Sequence, residues 1–340
     1  MREDWTAPGA HAVADGVWRI PLPLPDDGLR AVNVYAIADG EHVVMVDGGW
    51  ALPHSERLLA SALDDIGYGL EHISKFLVTH AHRDHYTQAA AVRRRFGTKV
   101  LLGEHERASL DLIGPGAVRP ELPHLRMLTE AGADDLAHLL RSTAREPDAP
   151  DDWTPPDGWI AHGARISAGA RTLDAVHTPG HTRGHLVFYD GDGNVLFSGD
   201  HVLPHITPSI GYEQVPPTSP LAEYLSSLLL VRSMPDAQLL PAHGPAGQSV
   251  HQRVDELLSH HEDRLEASLA AVQAGCGSAY EVADRLRWTR RGRALADLDP
   301  FNQMLAIIET AAHLDVLAER QHLRRTHSGG AVTYALPATA

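Results

Sequence analysis

The alternation of apolar and polar positions divides the chain into a strand-rich first part, an interruption and a helical tail. Between Gly16 and Gly49, residues 17–22, 31–37 and 42–47 are dense in Val, Ile, Leu and Tyr. Acidic and glycine turns, Asp26-Asp27-Gly28 and Asp39-Gly40, separate them. Short apolar runs punctuated in this way predict successive β-strands joined by hairpins. Leu58, Leu59, Ala62, Leu63 and Ile66 then recur at helical spacing and predict a helix over 55–66. A strand at 76–78, a helix at 88–96 and a strand at 99–102 follow, and strands alternating with helices indicate a layered α/β core.

Residues 104–157 break that rhythm with a helical pattern over 122–140 and the loop "PDAPDDWTPPDG", and are expected to form an insertion that covers a site. Strands resume at 165–166, 172–176, 185–189, 195–198 and 238–241. After Gly247 the pattern is helical, closing with a strand, the turn Ser328-Gly329-Gly330 and a second strand, the order of a small winged-helix-like module. The expected division is a domain over 1–247 and a module over 248–340. No repeat with a period of 20 to 50 residues is present. The apolar stretch Met304-Leu305-Ala306-Ile307-Ile308 is expected to serve either a core or a homodimer interface.

Composition narrows the function classes. With 43% hydrophobic and 21% charged residues the chain is of ordinary globular type, and no apolar run approaches the roughly 18 residues of a membrane span. The acidic start "MREDW" lacks the basic-then-apolar pattern of a signal peptide, so a cytoplasmic location without membrane partners is expected. The single cysteine, Cys276, excludes an intramolecular disulfide and a thiolate cluster. A net charge of -15 opposes nonspecific binding to nucleic acid over most of the surface. Local basic groups remain at Arg93-Arg94-Arg95, Arg290-Arg291-Gly292-Arg293 and Arg324-Arg325, with Trp288 and Tyr334 as nearby aromatics.

The chemistry concentrates where apolar runs end. "VTHAHRDHYTQ" sets His80, His82, Asp84 and His85 directly after a predicted strand. His80 and His82 alternate and can point the same way, while Asp84 and His85 follow on a tightening loop. Imidazoles and carboxylates are zinc ligands by type, but four residues cannot fill two coordination spheres. "HTPGHTRGH" (177–185), "LFSGDHVL" with Asp200, and "LLPAHGPAG" with His243 supply further donors at other predicted strand ends. Packing does not account for histidine or aspartate in small-residue loops at four separate strand ends.

These motifs, "HAHRDH", "HTPGHTRGH", "SGD" and "PAHG", preceded by "VMVDGG", resemble in order those of the metallo-β-lactamase-fold superfamily and span residues 17 to about 247. The resemblance implies an αββα sandwich with a dinuclear metal site at one edge of its sheets. It assigns His80, His82 and His181 to one ion and Asp84, His85 and His243 to the second, with Asp200 bridging. Asp47 would support the site from the neighbouring strand, and His177 and His185 would be structural or supporting. Zinc is the default ion for such ligands, and iron and manganese accept similar sets. Two ions roughly 3.5–4 Å apart share and activate a water, and Asp84 could orient the resulting hydroxide and move its proton. Tyr86-Thr87-Gln88 stands where many relatives have small residues, which puts Tyr86 at the rim as a candidate substrate contact. Tyr212, in "SIGYEQVPP", is another.

The leading expectation is a hydrolase of a small acyl substrate, a thioester, ester or lactone, similar to glyoxalase II-like relatives. The alternatives are an endoribonuclease acting on single-stranded RNA, from the lactamase-like core with its winged-helix-like tail, and a mono-iron oxidoreductase that oxidises persulfides. A noncatalytic scaffold is not expected, because every expected ligand position is filled. β-Lactam cleavage as the main role is not expected either, because secreted lactamases need an export signal.

Overall fold

Alternation along the strands builds the layers. In the computed structural model, which describes residues 4–25, 28–115, 123–143, 150–213 and 215–338, the first sheet contains β1 (His11–Ala14), β2 (Val17–Pro23), β3 (Ala31–Asp39), β4 (His42–Val46), β5 (Ile73–Val78), β6 (Lys99–Gly103) and β7 (Gly158–Ile160), side by side in chain order. Its first four strands pair antiparallel and the remainder parallel. Asp26 and Asp27 of the predicted turn, Leu122 of the predicted insertion helix and 147–149 of the Pro/Asp loop lie outside the described residues.

On β4, Val43 and Met45 point into one core with α1 (Pro53–Asp64) and α2 (Arg83–Phe96), whereas Val44 and Val46 point into another. Successive side chains of a strand face opposite ways, so a strand buried on both faces is apolar throughout. The second sheet, in the order β12 (Gln238–Pro241), β11 (Val195–Gly199), β10 (Leu186–Asp190), β9 (Arg171–His177), β8 (Arg165–Ala168), repeats the device. Leu186, Phe188, Val195, Phe197 and Leu240 meet the first sheet, while Val187, Leu196 and Leu239 face away. Each large apolar side chain buried in this way contributes about 1.5–3 kcal/mol.

The outward face of the second sheet is covered by α6 (Pro220–Ser233), α7 (Val250–Gln273) and α9 (Pro300–Glu319), completing the αββα order. Of the insertion, α3 (Arg107–Ile113) leads to α4 (Pro123–Glu130) and α5 (Asp134–Ser142), and the last two pack on α9. The tail also holds α8 (Ala279–Arg285) and a hairpin of β13 (Arg324–Ser328) and β14 (Ala331–Ala335). Leu128 of the insertion, Leu239 of the sheet and Leu257, Ile307 and Leu314 of the tail belong to one continuous core. Met304, Ala306, Ile307 and Ile308 are buried in it, so most of that stretch is used within the chain.

Two differences from the sequence pattern bear on the site. Helix α2 starts at Arg83, with His82 at its N-cap position, so Asp84 and His85 sit in its first turn instead of on a loop. An acidic residue there suits the positive end of the helix dipole, and the polar run hides the apolar periodicity until Ala89. Helix α6 is unheralded because Leu225, Leu228, Leu229, Leu230 and Val231 run together and leave no one-sided stripe.

Candidate metal centre

The C-terminal ends of β4, β5, β9, β11 and β12 converge at one edge of the sandwich, and each carries a residue of the cluster. Asp47 follows β4 with φ of 59°, and its carboxylate is buried. Its Oδ1 accepts the Thr79 N–H (2.8 Å) and hydroxyl (3.0 Å), and its Oδ2 accepts Nδ1–H of His85 (2.9 Å). Since the one hydroxyl proton of Thr79 goes to Asp47, the Thr79 oxygen accepts Nδ1–H of His80 (3.0 Å). His181 and His243 donate Nδ1–H to the carbonyls of Ser209 and Ala31, each at 2.8 Å. In these four imidazoles the anchored Nδ1–H leaves Nε2 as the nitrogen turned into the site, able to coordinate a cation once it carries no proton, the arrangement found around protein-bound metals.

Nε2 of His80, His85 and His243 and Oδ1 of Asp200 are buried with no hydrogen-bond partner. Each such orphan costs about 1–3 kcal/mol, and several in one place call for a ligand that satisfies them together. The donor atoms form two groups: His80, His82, His181 and Asp200 in one, Asp84, His85 and His243 in the other. The Asp200 carboxylate spans both. Its Oδ2 lies 3.4 Å from His181 Nε2, and its Oδ1 lies 3.3 Å from His243 Nε2 and 3.6 Å from His85 Nε2. Oδ2 of Asp84 lies 3.5 Å from His243 Nε2 and 3.7 Å from His85 Nε2. Bonds of about 2.0–2.1 Å in a tetrahedron give ligand-to-ligand edges of about 3.4 Å, so the residues fit divalent cations of the zinc class. His82 completes the first group with Nδ1 at 3.1 Å from His181 Nε2.

Charge divides the two groups. Burial and then the neighbouring imidazoles hold His80 well below the ordinary histidine range, and burial first, then chiefly His181, takes His82 down to about 3. Burial opposes protonation of His85 as well, yet the carboxylates of Asp47, Asp84 and Asp200 outweigh it and push its pKa up to about 10. His243 is raised in the same way, against burial, by Asp200 and Asp84. Burial alone would raise Asp200, but His243 and His85 hold it well below the usual carboxylate range.

Both nitrogens of His185 are occupied elsewhere: Nδ1–H donates to the Thr178 hydroxyl (2.9 Å), and Nε2 accepts the Asp200 N–H (3.1 Å). His185 thus fixes the backbone of Asp200 from behind. Gly199, at φ of 49°, permits that approach, because a Cβ there would lie 2.7 Å from His185 Nε2. His177 lies outside the cluster, donating Nε2–H to the Arg183 carbonyl (2.8 Å). Tyr86 is fully buried, donates to the Thr154 carbonyl (2.6 Å) and stacks on Trp153. It therefore fastens the insertion to α2 and does not line the rim as the sequence suggested. Tyr212 does reach the rim, with its ring 6.4 Å from that of His82 and 5.5 Å from those of His124 and Phe301.

Glu106 escaped the sequence reading. Its buried carboxylate accepts the Thr182 hydroxyl and the N–H groups of Ala81 and Gly184, joining the loop of His80 and His82 to the loop of His181. Burial pushes its pKa up to about 7. Glu213, pushed up to about 8 chiefly by burial, accepts the Arg183 N–H (3.0 Å) and steadies the same loop. Neither stands beside a histidine motif at a strand end in a way that marks it. Asn33 and Tyr35 of β3 likewise donate to the Pro241 carbonyl (2.9 and 2.7 Å) and hold the approach to His243.

Residues 27–243 match the family model of the metallo-beta-lactamase superfamily. Among curated proteins, the chain is 26% identical over 266 residues to atrochrysone carboxyl ACP thioesterase of Aspergillus fumigatus, covering 76% of this chain and 50% of the relative. It is 26% identical over 253 residues to a thioesterase of Emericella nidulans, covering 74% and 57%. The matches thus span about half to three fifths of the relatives' length. The fold resembles the crystal structure of a β-lactamase domain protein from Burkholderia ambifaria, with a TM-score of 0.81, 26% identity and coverage of 98% of this chain and 97% of that one. A metallo-β-lactamase family protein from Thermus thermophilus is similar at a TM-score of 0.73, with 25% identity and coverage of 96% and 100%. With its layered fold, its cluster at the sheet edge and a family match across most of its length, the chain belongs to the metallo-β-lactamase superfamily.

Proposed function

We propose that the protein hydrolyses acyl thioesters, free or tethered to a carrier, using two divalent cations, with zinc the fitting ion. His80, His82 and His181 would hold one and Asp84, His85 and His243 the other, with Asp200 shared. The observation that carries this reading is the Asp200 carboxylate, whose two oxygens face the two donor groups at 3.3–3.6 Å. The thioesterase names of two relatives support the substrate class, and one of those names includes ACP.

When bound, such cations supply Lewis acidity toward a carbonyl oxygen and lower the pKa of water. The chain's own residues supply the rest. Asp84 is the more exposed of the two site carboxylates, with 16% of its side chain accessible against 9% for Asp200. In this reading its oxygen orients the attacking water and carries a proton to the departing thiolate. Asp47 and His185 hold His85 and Asp200 in place, and Tyr212, His124 and Phe301 form an aromatic wall for the acyl group. Residues 1–247 would carry the chemistry, and 248–340 would contribute part of that wall.

An RNA substrate has less support. Arg93, Arg94 and Arg95 are paired with Asp157, Asp152 and Glu56. Trp288 and Tyr334, the candidate stacking rings, are buried and hydrogen-bonded to Ala283 and Asp315. The test is thiol release from a panel of acyl thioesters beside cleavage of an unstructured RNA, with and without chelator. Thioester cleavage that is lost to chelator and restored by zinc is expected; RNA cleavage without thioester turnover would overturn the proposal.

A further inference from the structure

A second histidine cluster lies away from the strand ends, between α7 and α9. His260, His261 and Glu309 each offer a ligand atom, and the three atoms lie within 4.8 Å of one another. His261 is completely buried. His313 donates Nδ1–H to the Glu309 carbonyl (2.7 Å), which leaves its Nε2 as an acceptor, and that Nε2 takes Nδ1–H of His261 (3.1 Å). The relay fixes His261 with a bare Nε2 that is buried and has no hydrogen-bond partner. This is the anchoring seen for His85 on Asp47, an imidazole held by its protonated nitrogen so that the other can serve as a ligand.

We propose that His260, His261 and Glu309 bind a third divalent cation of the zinc class, with water completing the shell, and that this cation fastens α9 to α7. Imidazole and carboxylate donors suit that class. The three atoms lie within 4.8 Å of one another, a looser bound than the roughly 3.4 Å edges of a zinc tetrahedron. His260 is exposed and Glu309 half-buried, so these two close the gap while His261 stays fixed. The charge of Arg264 acts on Glu309, His260 and His261, but its guanidinium lies over the Trp288 ring (4.2 Å) and donates to the Arg287 carbonyl (3.2 Å), so it does not take the place of a cation between the three. Because α9 begins beside Phe301, which packs on Tyr212, the cation would steady the helix that brings part of the rim to the centre.

The test is the zinc content of the full chain by native mass spectrometry, comparing wild type with His260→Ala/Glu309→Gln after equilibration with zinc. One fewer ion per chain in the variant is expected, together with a smaller zinc-induced rise in melting temperature. Should the double variant fail to fold, His260→Ala alone serves, since that side chain is exposed, with roughly tenfold weaker binding of one ion expected. Equal zinc stoichiometry and equal affinity in wild type and variant would overturn the proposal. The difference is counted against whatever the strand-end centre holds, so this outcome is separable from failure of the proposed hydrolysis.

Discussion

The floor and the rim of the cleft are built on different principles. On the floor every imidazole but one has its second nitrogen fixed by a named partner: His80 by Thr79, His85 by Asp47, His181 by Ser209 and His243 by Ala31. The partners of His85, His181 and His243 sit on other strand ends or loops, and Thr79, adjacent to His80, is itself tied to Asp47 after β4, so the positions of the donor atoms are over-determined. The rim is a row of rings in tilted and edge-on contact, His124 from α4, Tyr212 from the loop after β11 and Phe301 from α9, and Phe301 is 44% exposed. Ring contacts of this kind tolerate sliding, whereas a buried hydrogen bond does not. Chemistry placed on the floor can therefore stay fixed while the rim changes, which under the proposed thioester hydrolysis would suit it to different acyl groups.

The hardest blow to the floor is Asp200→Ala, which removes the carboxylate between the two donor groups and leaves His85 and His243 facing each other without it. Catalysis that depends on both groups should fall by about a thousandfold or more, the scale of several kcal/mol of charge stabilisation. Turnover and metal content measured together, with circular dichroism to confirm the fold, check this. Near-native turnover would remove Asp200 from the centre of the mechanism.

A gentler probe of the floor is Glu106→Gln. The amide keeps one acceptor oxygen but cannot serve the Thr182 hydroxyl and the Ala81 and Gly184 N–H groups as the carboxylate does. Loss of such supporting contacts typically weakens metal binding 10- to 100-fold. The pH dependence carries a second signature. With a folded pKa of about 7 against the ordinary 4.5, the folded chain keeps this proton over a range in which the unfolded chain has lost it. The unfolded state then binds fewer protons, so this contribution to stability is complete below about pH 4.5, declines as pH rises and is gone above about pH 7. The melting temperature of wild type minus that of the variant should therefore shrink from pH 5 to pH 7.5 in scanning calorimetry. A constant difference would mean that Glu106 is already ionised in the folded chain.

The contrast also explains what was legible in the sequence. Floor residues announce themselves because histidines and aspartates crowd the ends of apolar strands, where nothing in packing calls for them. Glu106 was invisible because a single buried glutamate, in a turn after β6, resembles any surface acid until its three donors are known. The apolar pattern of α2 starts five residues late, at 88 against Arg83, because its first turn is occupied by site residues. The sheets were legible because strands buried on both faces are continuously apolar, while α6 was not, since an evenly apolar helix lacks a stripe. The rim was the least legible part, with residues 124, 212 and 301 brought together only by the shared core of insertion and tail.

The smallest expected effect tests the rim. Tyr212 stands between His82 and Phe301, so Tyr212→Ala removes the ring nearest the floor, whereas Phe301→Ala removes only an outer edge contact. A stacked or edge-on aromatic pair contributes about 0.5–1.5 kcal/mol beyond its buried area, which corresponds to roughly a two- to twelvefold change in affinity. For bulky aromatic acyl thioesters, KM should rise within that range in Tyr212→Ala and by less in Phe301→Ala. For an acetyl thioester, too short to reach the wall, both variants should match wild type in KM, and kcat should hold in Phe301→Ala, whose ring lies beyond Tyr212, and change little in Tyr212→Ala, whose link to the donor groups is a 6.4 Å ring contact with His82. A fall in kcat for the acetyl substrate would mean that the rings also position His82, and the separation between a fixed floor and an adaptable rim would have to be redrawn at that residue.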